Sequence, residues 1–349
     1  MQINTSHKNY YPWFDWLRIT LAFAVLLGHD GLLNGWSHAA NFAVQVFFAL
    51  SGWLIGGILL NISTVDLPKF YFNRALRIWV PYFFALALLV LASLLHDAIT
   101  PKWLEIIFYK LSFVYNLFGP PQLAAYKLAM PLQGTGNHFW SVNAEEQFYL
   151  LAPLLLVMMP ARIGKNIFTW VALALLAWFF GEYASIVFGV LAAILIKHFG
   201  NIHLTKIARI IFSLTIFLSI AGFIGGINYE RIAPFCAISI VMLLATTGKQ
   251  TALGTFVGGV SYPLYMNQWI GGFVTNAIFK HFGSHESGFK HLLTIVLSLL
   301  IASVFYWCID KQILAARPKL YTLARGKLIT VIAYGSVLIG LCVGLYLVN

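Results

Sequence analysis

Asn41-Phe-Ala-Val-Gln-Val-Phe-Phe-Ala-Leu-Ser-Gly-Trp-Leu-Ile-Gly-Gly-Ile-Leu-Leu60 runs from end to end without an Asp, Glu, Lys or Arg. A helix needs about 20 mainly apolar residues to cross roughly 30 Å of hydrocarbon, so this stretch reads as a membrane span. The same rule applied outward finds spans near 13–33, 78–95, 139–159, 166–181, 183–198, 209–227, 231–247, 258–279, 290–310 and 328–348. Composition agrees. Of 349 residues 60% are hydrophobic and 9% charged, with a mean hydropathy of +0.82. A soluble domain carries roughly a quarter charged residues, so a water-soluble globule is excluded. The runs are long and continuous rather than short and alternating, which excludes a β-barrel. The expected fold is an all-α, polytopic transmembrane helical bundle of about eleven spans, ten in the core plus one at the C-terminus. Residues 1–349 read as a single integral-membrane domain, with a core at 13–310 and the extra span at 328–348. No repeat, low-complexity tract or long polar segment interrupts it. The first dozen residues are polar and show no small-residue cleavage site, so the first span is expected to be retained.

Trp103–Phe118 is apolar but carries Glu105 and Lys110 and ends at Gly119-Pro120-Pro121. It reads as an interfacial or re-entrant helix. Loop charges support that count. With the N-terminus cytoplasmic, the inner side receives Lys8, Lys69, Arg74, Arg77, Arg162, Lys165, Lys197, Lys206, Arg209, Lys249, Lys311, Arg317, Lys319, Arg325 and Lys327. The outer side keeps Lys102, Lys110, Lys127, Arg231, Lys280 and Lys290. The positive-inside rule requires this bias, and it places the chain in the cytoplasmic (plasma or inner) membrane.

The formal charge of +11 does not point to nucleic acid, because the basic residues lie in short loops between apolar runs. Membrane lipid is the expected partner and nucleic acid is not. Cys236, Cys308 and Cys342 all fall in apolar stretches without metal-ligand spacing and are expected to be buried thiols. No metal site is expected.

Ionisable residues inside spans cost insertion energy and need a reason. In Trp13-Phe-Asp-Trp-Leu-Arg18-Ile-Thr-Leu-Ala-Phe-Ala-Val-Leu-Leu-Gly-His29-Asp30, Arg18 and His29 are eleven residues apart, nearly three turns. Both lie on one helix face, about 16 Å apart along the axis. Locally, Arg18 can pair with Asp15 and snorkel to headgroups, and His29 can sit at the interface on a backbone carbonyl. Asp30 reads as a helix-end residue or a partner to His29. A second group, Asn137-His138-Phe139-Trp140-Ser141-Val142-Asn143-Ala144-Glu145-Glu146-Gln147-Phe148-Tyr149, carries two glutamates into an apolar helix. Adjacent residues point about 100° apart, so one site is not expected to use both directly. A carboxylate at the depth of His29 makes Glu145 a plausible partner for acid–base work. Lys69, Arg74 and Arg77 either signal orientation or form a phosphate site. Ser51-Gly52-Trp53-Leu54-Ile55-Gly56-Gly57 reads as a helix-packing surface.

At these residues the chain resembles the integral-membrane acyltransferase family 3, which acylates extracytoplasmic sugars. The likeness rests on Phe14-Asp-Trp-Leu-Arg18-x10-His29, Val46-Phe-Phe-Ala-Leu-Ser-Gly-Trp-Leu-Ile55, Phe70-Tyr-Phe-Asn-Arg74-Ala-Leu-Arg77-Ile, Phe139-Trp-Ser-Val-Asn-Ala-Glu145-Glu-Gln-Phe-Tyr149 and, more weakly, Gly259-Val-Ser261-Tyr-Pro-Leu-Tyr265. Together these cover about residues 13–310. The resemblance implies a membrane O-acyltransferase with no tightly bound cofactor. Acyl-coenzyme A, usually acetyl-coenzyme A, is the implied co-substrate from the cytoplasmic side. A hydroxyl of a carbohydrate, as in a surface polysaccharide or lipid-linked glycan, is the implied acceptor. His29 becomes the catalytic histidine, Arg18 its motif partner and Glu145 the essential acid, with Arg74 and Arg77 for the donor. Trp36, Trp140 and Tyr149 are candidates for stacking on a sugar. The chain departs from the family where a histidine is common, carrying Asn267-Gln268 instead, and Gln268 is the candidate substitute. It also has Asp310-Lys311-Gln312 in place of Glu-Lys-Pro. The competing class is a transporter or flippase for a lipid-linked sugar, for which intramembrane Arg, His and Glu are equally suited, although no inverted repeat is visible.

Overall fold

The computed structural model describes residues 10–33, 35–119, 123–181, 183–281 and 288–348. Among them every regular element is helical. The principal helices are α1 (Pro12–His29), α2 (Ala39–Leu59), α3 (Leu67–Leu94), α4 (Pro101–Leu111), α5 (Phe139–Pro153), α6 (Ile167–Phe180), α7 (Ala184–Phe199), α8 (Lys206–Ile224), α9 (Tyr229–Leu244), α10 (Ala252–His281), α11 (Gly288–Phe305), α12 (Lys311–Leu320) and α13 (Leu323–Val348). Helices run along the expected apolar stretches. Five helical stretches are long and apolar enough to cross a membrane: Ala39–Leu59, Thr64–Leu94, Lys206–Ile224, Gly288–Leu320 and Leu323–Leu347. The chain is an integral membrane protein built as a helical bundle.

Two compact units make up the chain. The first comprises residues 1–60, 165–265 and 287–295, and the second residues 61–164, 266–286 and 296–349. In the first unit α2 is the hub, packed against α1, α7 and α9. Glycine is why α2 and α7 come so close. A Cβ on Gly52 would stand 2.0 Å from the carbonyl oxygen of Ile186, and one on Gly189 2.2 Å from that of Ala49. The two backbones touch, as the small-residue run predicts. Gly52→Ala is therefore expected to lower the melting temperature in detergent, at an overpacking cost of about 1–3 kcal/mol. Gly57→Ala is the control, since a Cβ there meets nothing within 4 Å. Equal melting of the two variants would refute the close crossing. On the outside of this unit, α8 exposes Ile207, Ile210, Phe217 and Ile224. Lipid, not water, suits such a face.

In the second unit α3 packs against α12 and α13. It starts upstream of the apolar run expected at 78–95. Asp66 accepts hydrogen bonds from both the backbone N–H and the hydroxyl of Ser63, at 3.0 and 2.8 Å, and Pro68 follows within the first helical positions. This start is a capping box with a proline, which nucleates a helix before any apolar periodicity appears. Lys69, Arg74 and Arg77 consequently belong to α3 rather than to a loop.

The segment read as interfacial or re-entrant is broken. α4 has 11 residues, about 16 Å of helix against roughly 30 Å of hydrocarbon. The chain then turns through Phe113, with φ of +57°, into a single turn at Tyr115–Phe118. Pro120 and Pro121 lie outside the described residues, as does Lys8. One expectation is overturned. Cys236 is buried, but Cys308 and Cys342 are exposed. An apolar run in a membrane protein covers the lipid-facing side of a helix as well as its packed side, so apolar surroundings do not imply burial.

Candidate functional site

In the first unit, α1 is uninterrupted from Pro12 to His29, so the spacing read from sequence holds and Arg18 and His29 share a face. Arg18 pairs with Asp15 one turn back, Nη1 to Oδ1 at 3.3 Å. Asp15 also accepts a hydrogen bond from the Tyr10 hydroxyl. The local reading of Arg18 is therefore what the helix forms.

His29 is the last residue of α1. It is exposed. Asp30, at the helix cap, turns away to a partner that sequence did not suggest. Its Oδ2 lies 2.7 Å from Nδ1 of His291, in the first turn of α11. The loop after α1 brings Trp36 into an aromatic cluster, with ring centres 5.6 Å from Phe42, 5.5 Å from Phe223 and 6.4 Å from Tyr229. His38 stacks on Tyr229 at 4.2 Å, and the Tyr229 hydroxyl donates to Oδ1 of Asn41 at 2.8 Å. An accessible imidazole, an Asp–His pair and an aromatic platform thus gather around one end of α1, a set suited to a polar ligand with apolar faces.

The second unit holds a different constellation, on α3, α5 and the start of α12. Arg74 sits on the inner side of α3, its guanidinium carbon 5.9 Å from the ring centres of both Phe70 and Tyr149. Its Nε is buried and has no hydrogen-bond partner. Arg77, Arg317 and Glu145 are all within electrostatic reach of it. Glu146, 4% exposed, accepts a hydrogen bond at Oε1 from the Trp79 indole at 3.0 Å, while Oε2 is buried without a partner. Asp310 is likewise buried, with Oδ2 unpartnered and Arg77 within its field. Among the described residues, none of Arg74, Arg77, Arg317, Glu146 and Asp310 forms an ion pair. Buried polar groups are normally satisfied, so the open valences at Arg74 Nε, Glu146 Oε2 and Asp310 Oδ2 make this group a candidate binding site.

What holds α5 in place is a polar network that sequence reading missed. Lys110, expected on the outer side within an interfacial or re-entrant helix, is 1% exposed. Its ammonium donates to the Gly136 carbonyl at 2.9 Å and stands 3.5 Å over the Tyr115 ring and 5.2 Å from that of Phe139. Asn143 donates to the Tyr82 hydroxyl at 2.9 Å, which in turn donates to the Lys110 carbonyl at 2.9 Å. Gln147 donates to the Phe113 carbonyl at 2.7 Å and to Oδ1 of Asn116 at 2.8 Å. Asn143 and Gln147, four residues apart, thus clasp the broken 101–118 segment and fix the rotation of α5. That rotation is what turns Glu146 toward Trp79.

The remaining candidates are scattered. Trp140 and Tyr149, grouped from sequence, are nine residues apart on α5, about 14 Å along the axis. Trp140 is half-buried, whereas Tyr149 is buried beside Arg74. Asn267 and Gln268 are buried in α10, and Ser298 of α11 donates to the Gln268 carbonyl at 3.0 Å. Among the described residues no group of His, Cys, Asp and Glu is arranged to hold a metal ion. Arg317 and His291 were not read as site residues. Each joins its partners only through tertiary packing, which sequence spacing does not encode.

The family model described as "Acyltransferase domain" matches residues 11–310. A Bacillus subtilis protein named provisionally as a peptidoglycan O-acetyltransferase is 34% identical over 177 residues, 45% of this chain and 25% of its own length. The peptidoglycan O-acetyltransferase of Listeria monocytogenes is 28% identical over 160 residues, 43% of this chain and 25% of its own. A Staphylococcus aureus protein named provisionally as an O-acetyltransferase is 28% identical over 178 residues, 46% of this chain and 28% of its own. The matched part of the chain thus spans about a quarter of the length of these curated relatives. No solved structure matches.

Proposed function

Since the chain belongs to the membrane acyltransferase family whose model covers residues 11–310, we propose that it transfers an acyl group, acetyl in the first instance, from cytoplasmic acyl-coenzyme A to a carbohydrate hydroxyl on the far side of the membrane. The observation that carries the donor half is the unpartnered, buried Nε of Arg74 among further guanidiniums. Arginine forks suit phosphate oxygens, and coenzyme A presents three phosphates. Tyr149 lies against Arg74 and belongs to this half of the site. The relatives named for peptidoglycan O-acetylation support a cell-envelope glycan as acceptor.

The acceptor half centres on His29. A neutral imidazole takes the proton of the sugar hydroxyl as its oxygen attacks the thioester carbonyl, and the thiolate of coenzyme A leaves. Glu145 is proposed as the essential acid of the reaction. Arg18 keeps the first helix electrostatically anchored through Asp15. Trp36, in the aromatic cluster beyond α1, offers a ring face to the sugar. The N-terminus is cytoplasmic in this reading. The loops flanking α2 stand apart by its 21 residues, about 31 Å, which suits a donor and an acceptor approaching from opposite faces. An acyl-His29 relay is the other route by which the group crosses.

The test is transfer of labelled acetyl from acetyl-coenzyme A to a glycan acceptor by the purified protein in detergent, with no ion gradient. Transfer is expected. Strict dependence on an intact, energised membrane would instead favour a carrier.

A further inference from the structure

Asp30 and His291 form an acid–base pair that the proposed reaction leaves without a task. The His291 imidazole turns Nδ1 to Oδ2 of Asp30 at 2.7 Å. A carboxylate accepts hydrogen bonds and does not donate them, so the proton of this bond sits on Nδ1. The lone pair of the neutral ring is then on Nε2, which makes no hydrogen bond to any described residue. The His291 and Asp30 side chains are 30% and 16% exposed, so the pair is sheltered but open to a ligand. A carboxylate that fixes the tautomer of an imidazole and steadies its charged form is the arrangement of a general base. Asp30 directly follows His29, and consecutive Cα atoms are about 3.8 Å apart. The chain itself therefore tethers this base beside the exposed histidine at the end of α1.

We infer that the Asp30–His291 pair is the base that activates the acceptor hydroxyl, while His29 carries the acyl group. The inference rests on the acyltransferase function proposed above and selects its acyl-His29 route. The reason is chemical. In the first step a ring nitrogen of His29 attacks the thioester carbonyl, the C–S bond breaks, and the thiolate of coenzyme A leaves. The acylated nitrogen has spent its lone pair and cannot then take a proton from the sugar. A second base is needed. In the second step the hydroxyl oxygen attacks the acyl carbon, its proton passes to Nε2 of His291, and the C–N bond breaks to restore neutral His29. His291 is left as an imidazolium held by Asp30, and it returns its proton to water through its exposed side.

Labelled acetyl-coenzyme A, given to the full-length purified protein in detergent, separates the two steps. Loading is read as coenzyme A released in the first turnover. Discharge is read as loss of label from the protein when soluble peptidoglycan fragments are added, whether to a sugar hydroxyl or to water. His291→Asn keeps an N–H for Asp30 but has no basic nitrogen. In this variant loading should persist, discharge should fall about a hundredfold, and labelled protein should accumulate. Hydroxylamine, which attacks without a base, should strip the label equally fast from the variant and the unaltered chain. Discharge at the ordinary rate in His291→Asn would make the pair a tie between α1 and α11 and overturn the assignment. So would a parallel loss of loading and discharge, which marks damage to the fold. Transfer by the unaltered chain with no labelled protein in either form would remove the relay and this inference, and leave the acyltransferase reading standing. If the unaltered chain neither loads nor transfers, that reading has itself failed.

Discussion

His29→Ala is expected to abolish acetyl transfer, by about a thousandfold or more, while leaving the helical bundle intact. A positioned general base contributes about 10²–10⁴-fold, and a nucleophile that carries the acyl group contributes everything along that route. The fold should tolerate the change because His29 ends its helix and keeps exposed surface, whereas the packed face of α1 is built from Phe14, Leu21, Val25 and Leu26. Glu145→Ala, at the proposed essential acid, should fall to a similar level. Melting in detergent and labelled-acetyl transfer, measured side by side, separate chemistry from folding. Normal transfer by His29→Ala would remove the histidine from the mechanism.

The second large effect is at Arg74. Arg74→Ala should raise the KM for acetyl-coenzyme A by about a hundredfold, through loss of a charge-assisted contact in a buried setting. Arg74→Lys should recover little of it. Lysine keeps the charge but lacks the planar five-donor fork that grips phosphate oxygens in pairs and the flat guanidinium that lies beside Phe70 and Tyr149. The KM for the acceptor should stay near its ordinary value in both variants. A donor KM unmoved by Arg74→Ala would return this arginine to topology signalling.

How much of this was legible in the sequence depends on the kind of order involved. Membrane insertion is a property of a continuous stretch, so the helical segments appeared directly in the hydropathy of the chain. Packing by Gly52 was legible too, because small residues at helical spacing have few other uses within a span. The start of α3 was not, since a capping box outranks an apolar window and draws Arg74 and Arg77 into the helix. Arg18, His29 and Glu145 stood out as charges in costly places, and Arg74 as one of a basic cluster. Arg317 and His291 did not, because each is defined by what it meets across tens or hundreds of residues, and nothing in the sequence told which of Glu145 and Glu146 would meet Trp79. Lys110 misled for the same reason: it looked like an interfacial lysine on the outer side, and only Tyr115, Phe139 and Gly136 make it a core residue.

That lysine also constrains the order of biogenesis. The ammonium cannot shed its water until the Gly136 carbonyl and the Phe139 ring exist to receive it, 26 or more residues later in synthesis. Until then the nascent chain must leave this side chain hydrated at the bilayer edge, and the segment that carries it waits there undocked. The arrival of the helix bearing Glu145 and Glu146 is what draws it in, so maturation of the 101–118 segment and positioning of those glutamates become one assembly event.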